Sequence, residues 1–168
     1  MKTRMLAGAA LIAAAGMTVP AIAAEKVDAT TIALPAPPAG KGQVVFFRKG
    51  GMQGSAVNCT VHENGQKVSS LGGGRYFVLA AEPGRHEYSV KSEGTDSLAL
   101  EVEPDETQFV ACKIKMGFMV GRPDIAPSSE ADFRAAKKLG FVDADDIVSA
   151  DVQQVAVSET ATDDTPGG

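Results

Sequence analysis

Between Gln43 and Met116 the chain runs in short alternating stretches of apolar and polar residues, broken by turn signals at roughly ten-residue spacing. That pattern predicts strands of an antiparallel sandwich or barrel rather than helices. "QVVFFR" opens the series at Gln43. "SAVNCTVHE" runs into Asn64-Gly65, a pair suited to a two-residue turn with positive φ, and the chain returns as "QKVSSL". "RYFVLAA" and "RHEYSVKS" flank Glu82-Pro83-Gly84, where proline fixes one φ and glycine frees the next, so a second hairpin is predicted there. "SLALEVE" places Leu98, Leu100 and Val102 on one face and Ala99, Glu101 and Glu103 on the other. "TQFVACKIKM" follows Pro104-Asp105-Glu106 and completes about seven strands.

The flanks read differently. Residues 24–41 contain Pro35, Pro37 and Pro38 among Ala and Gly, which oppose helix and central strand and predict an extended linker. The domain proper is expected over 42–142. Within it "GFMVGRPDIAPSS" reads as irregular, and Ser129 with Asp132 resembles a capping box that predicts a short C-terminal helix near 129–139, stopped at Gly140. Residues 143–168 lack large apolar clusters and carry one charge sign, so an acidic disordered tail is predicted. The chain also begins with Lys2 and Arg4 ahead of an apolar stretch and an Ala21-x-Ala23 pattern. These are the parts of a cleavable signal peptide over 1–23, with cleavage after Ala23, and the apolar run is too short for a membrane anchor. A periplasmic or secreted location follows as an expectation.

Charge narrows the partners. Without Lys2 and Arg4 the 16 basic residues fall to 14 against 21 acidic ones, a net of −7. The imbalance is local: 24–142 carries 14 of each sign, whereas 143–168 holds seven acidic residues and no basic one. A neutral domain without clustered Lys and Arg argues against a nucleic-acid partner. Gly72-Gly73-Gly74 could suggest a phosphate loop, but Arg75, Tyr76 and Phe77 continue as a strand rather than opening a helix, so a strand-to-strand connection is expected. His62 and His86 are the two histidines, with His62 expected outward and His86 inward beside Tyr88 and Val90. They do not form a ligand pair, and no His-x-His or Cys-x-x-Cys suggests zinc. No Gly-x-Ser-x-Gly elbow marks a nucleophile, and Glu101 and Glu103 share a solvent face. Hence no catalytic residue, metal ligand or cofactor is assigned, and a non-enzymatic role is expected.

"GRYFVLAAEPGRHEYSV" is similar to strings in small seven-stranded sandwiches of the transthyretin and immunoglobulin kind. More specifically, "GKGQVVFFR", "NCTVHENG", "VSSLGGGRYFVL", "EPGRHEYSVKSE", "LEVEPDETQFVACKI" and "MGFMVGRPD" together resemble the bacterial domain-of-unknown-function family 2846 over about Gly40 to Val142. The resemblance implies an exported domain, often a lipoprotein, and implies no activity. The lipidated cysteine of those members is absent, so no stable anchor is expected after cleavage.

Two features remain. Met116, Phe118, Met119 and Val120, with Arg122 beside them, form an apolar glycine-flanked segment where alternation stops. Burial over an open end of the sandwich is the expectation, and an adaptable interaction surface is the alternative. Cys59 alternates with Val57 and Val61, and Cys112 with Val110 and Ile114, so both thiols face the core and an exported chain favours a disulfide between them. The function expected is an envelope or periplasmic domain that binds or supports another envelope component, with a small-ligand or carbohydrate module as the alternative.

Overall fold

The computed structural model describes residues 25–51, 56–119 and 121–153. The leader expected over 1–23 and the tail from 154 onward lie outside the described residues.

The chain is an all-β sandwich. The larger sheet has six strands: β1 (Val27–Asp28), β10 (Lys138–Phe141), β5 (Arg75–Ala81), β2 (Gly42–Arg48), β8 (Thr107–Lys115) and β9 (Arg122–Ser128), in that spatial order. The smaller has four: β4 (Gln66–Leu71), β3 (Cys59–Glu63), β6 (Gly84–Lys91) and β7 (Thr95–Val102). The seven strands read from the sequence are β2 to β8, and β1, β9 and β10 are additional. Most pairings are antiparallel, but β2 runs parallel to β8 and β5 parallel to β10.

Strand β2 is buried along its whole length and has two apolar faces. Phe46 points to the small sheet, where it stacks on Phe77 at 4.9 Å and meets the edge of Tyr88 at 5.0 Å. Phe47 points the other way and packs edge-on against Phe133 at 5.4 Å. Phe133 belongs to α1 (Glu130–Arg134), which therefore roofs the outer face of the large sheet. Ser129 caps this helix, its hydroxyl accepting from the Asp132 amide at 3.1 Å. The cap is as expected, but the helix is shorter than 129–139: Lys137 adopts φ 65° and the chain turns into β10.

Three other expectations need correction. Glu82-Pro83-Gly84 does not close a hairpin, since β5 lies in one sheet and β6 in the other. The turn chemistry reverses the chain, but Phe77 and Tyr88 then meet Phe46 from opposite sheets. The lead-in is not a free linker. Ala29 and Ile32 are buried, their carbonyls accept from Arg134 Nη1 at 2.9 and 2.6 Å, and Pro35 O accepts from Gln43 Nε2. Nor is the tail disordered from 143. A 3₁₀ turn (Ala144–Asp146) leads to Val152, which is buried and bridges Leu79, while Gln153 Nε2 donates to Gln43 Oε1 at 2.8 Å. Ile147, Val148 and Val152, spaced irregularly among Asp, Ser, Ala and Gln, keep neither a strand nor a helix period, so the local pattern does not mark such a docking segment.

The expected crosslink is present. Cys59 on β3 and Cys112 on β8 form a disulfide that ties the two sheets, with Cα atoms 6.6 Å apart. Asn64 (φ 48°) and Gly65 (φ 81°) make the β3–β4 turn as expected, and Gly74, at φ 73°, sits in the connection from β4 to β5.

Two outcomes follow. Val152→Asp places a charge in a buried position, and it lowers unfolding free energy by roughly 2 kcal/mol or more in chemical denaturation. Cys59→Ala and Cys112→Ala lower the denaturation midpoint alike. Chain-entropy reasoning gives about 4 kcal/mol for a loop of this length, and thiol titration of the denatured, unreduced protein finds no free cysteine.

Candidate functional site

Strands β8 and β9 pair until Lys115 faces Arg122, and the turn between them projects from the end of the sandwich. Its apolar side chains do not fold back. Met116 is 86% exposed, Phe118 98% and Met119 84%. The expectation that this segment covers the open end of the sandwich is thus corrected: the inter-sheet space is already filled by Phe46, Phe77, Tyr88 and the disulfide. Val120, the fourth apolar residue singled out, lies outside the described residues. Arg122 is exposed at the foot of the turn.

The turn is held from a neighbouring hairpin. Glu93, between β6 and β7, accepts from the Phe118 amide at 3.1 Å and from the Met119 amide at 2.8 Å, one through each carboxylate oxygen. Gly121 closes the base: a Cβ there would stand 2.5 Å from Ile114 Cγ2 and 3.4 Å from Val57 Cγ2, so only glycine lets the two strands converge. At the foot, Lys115 Nζ pairs with Asp124 Oδ1 at 2.5 Å, and Asp96 Oδ2 accepts from the Ile125 amide at 2.8 Å. Beside Met116 a cleft of about 190 Å³ is lined by Asp96, Lys115, Arg122 and Asp124. It is small and charged, suited to water rather than to an apolar ligand.

Elsewhere the polar side chains serve the fold. Arg48 is buried and donates to the carbonyls of Val57 and Leu71, and burial pulls its guanidinium below the ordinary value. It lines a cleft of about 320 Å³ with Lys49 and Lys113, but Lys49 is turned to Asp132 at 3.6 Å. Tyr76 and Tyr88 are buried, so neither offers a platform for a sugar ring. Among the described residues there is no group of three or more His, Cys, Asp or Glu that could hold a metal ion.

His86 sits inward, stacked on Tyr88 at 6.0 Å. Its Nδ1 meets Glu63 Oε1 at 2.5 Å and its Nε2 meets the Glu82 carbonyl at 2.7 Å. Since a carbonyl only accepts, Nε2 carries a proton, and the carboxylate at Nδ1 draws a second one. Burial by itself lowers the imidazole's affinity for that proton, but Glu63 and the Glu82 carbonyl outweigh it and hold the pKa above the ordinary 6.5. His62 is half-buried next to a register shift in β3, and its outward placement is only partial.

The chain matches the family model described as "Protein of unknown function (DUF2846)" over residues 38–124. The match runs from the approach to β2 through the first half of β9 and includes the projecting turn. No curated protein and no solved structure matches.

Because the His86 pKa is raised on folding, its contribution to stability is complete below pH 6.5 and is lost as pH climbs through the folded value. The denaturation midpoint of the wild type therefore falls as pH rises from 6.5, and in Glu63→Gln that slope is flattened. Equal slopes in both proteins would show that the pair does not govern the titration.

Proposed function

The chain belongs to the family DUF2846, and from that premise we propose that it is an exported, non-enzymatic module of the cell envelope that attaches to another envelope component. Met116, Phe118, Met119 and Arg122 make the attachment. The carrying observation is that three large apolar side chains stand at 84–98% exposure on a turn whose backbone is held by Glu93. Leaving such side chains in water costs stability relative to burying them, and a turn fixed by a remote carboxylate presents them in one arrangement. Met and Phe also adapt to irregular apolar surfaces.

Export and a periplasmic or secreted site belong to the same proposal, supported by the basic, apolar and small-residue order of 1–23 and by the Cys59–Cys112 disulfide, which suits an oxidising compartment. The likeness to immunoglobulin or transthyretin domains is part of the proposal too, supported by two packed sheets joined by a core disulfide.

The test compares the mature chain with a Met116→Ser, Phe118→Ser, Met119→Ser variant in co-sedimentation with isolated cell envelopes. The wild type sediments and the variant stays in the supernatant, while their unfolding free energies agree within about 0.5 kcal/mol, as for exposed sites. A variant that sediments as well as the wild type removes the proposal.

A further inference from the structure

Resting on the reading of this turn as an attachment surface, the geometry points to the headgroup interface of an anionic lipid bilayer as the component it enters. The apolar side chains stand on a convex tip rather than around a groove. Three of them offer less area than the ~800 Å² that each partner of a standard protein interface buries. A bilayer needs no complementary relief, because apolar side chains pass between lipids while charges remain at headgroup level.

The charges around the tip suit that arrangement. Lys113 and Lys115 on β8, Arg122 on β9 and Lys91 at the end of β6 lie along the strands that lead to it. Three acidic residues lie among them: Glu93 and Asp96, which accept from backbone amides and keep their charge, and Asp124, which offsets Lys115. Four basic residues thus stand against three acidic ones, which leaves the foot of the turn with a net charge of +1 on a chain whose formal net charge is −5. Anionic headgroups attract such a locus and repel the rest of the molecule, which orients it tip first.

The backbone is prepared in the same way. An amide taken out of water without a partner is costly, and lipid offers none. The Phe118 and Met119 amides, at the tip itself, already have Glu93 as acceptor. Glu93 thus acts as a positioning residue that satisfies these donors while its carboxylate stays at headgroup level, so that the Met116, Phe118 and Met119 side chains enter the lipid and the backbone beside Glu93 does not.

The chain contains no tryptophan, so Phe118→Trp introduces a single indole at a position of the tip that is 98% exposed. This variant, in its mature form, is mixed with vesicles of equal parts phosphatidylglycerol and phosphatidylcholine, and with phosphatidylcholine alone. With the anionic vesicles the indole emission shifts to the blue and lipids brominated in the acyl chain quench it. With phosphatidylcholine alone the response is weak. In co-sedimentation Phe118→Ser weakens binding to anionic vesicles at least roughly tenfold, and Arg122→Gln weakens it about fivefold. Vesicle binding without a blue shift or quenching overturns the inference, since another surface would then be in contact. If the wild type ignores both vesicles but still sediments with envelopes through its tip, the bilayer is overturned and a protein partner takes its place. If it sediments with neither, the attachment reading falls as well.

Discussion

Burial of β2 on both faces is the constraint from which the rest of the architecture follows. Because Phe46 and Phe47 are adjacent, they must point to opposite sides of the sheet, and both need an apolar cover. One sheet packed on another satisfies Phe46 alone. The outer face requires a second cover, which the chain assembles from what flanks the strands. Phe133 is brought by α1, Ile32 by the lead-in, and the hydrogen bonds from Gln43 to Pro35 and from Gln153 to Gln43 fasten both ends of the domain to the same strand. The molecule is a two-sheet sandwich with a partial third layer, and the third layer exists because "VVFF" has no polar side.

The sequence is most legible where one face of a strand is wet. In β7 the alternation of Leu98, Leu100 and Val102 with Ala99, Glu101 and Glu103 matches the observed faces, and the positions of Cys59 and Cys112 follow from the same period. It is least legible where pairing rather than pattern makes a strand. Strand β9 contains Pro123 and Pro127, which argue against a strand until its place at the edge of the sheet is known. Strand β1 is two residues long and exists through its partner, Lys138–Leu139. Which sheet a strand joins is also silent locally, as the crossing at Pro83-Gly84 illustrates.

The candidate site divides in the same manner. Composition alone singles out Met116, Phe118, Met119 and Arg122. Their exposure depends on competition for the core, which the aromatic residues of β2, β5 and β6 win. The Glu93 clamp joins residues 25 and 26 positions apart in the chain, and nothing in the local spelling of "KSEGTD" announces it. A remote carboxylate that binds two successive amides becomes visible only when the β6–β7 and β8–β9 turns are brought to one end of the sandwich.

The edge strand β9 has one more consequence. The Ile125 amide donates to Asp96 and so faces away from β8, which means that Pro123 and Pro127, two residues either side, also direct their nitrogens outward. Of these three outward positions two have no N–H to give and the third is capped. The opposite edge of the same sheet is the two-residue β1. A chain that carries Met116, Phe118 and Met119 in the open would otherwise risk templating its own copies strand upon strand into fibrils, and this edge denies them a ladder to climb.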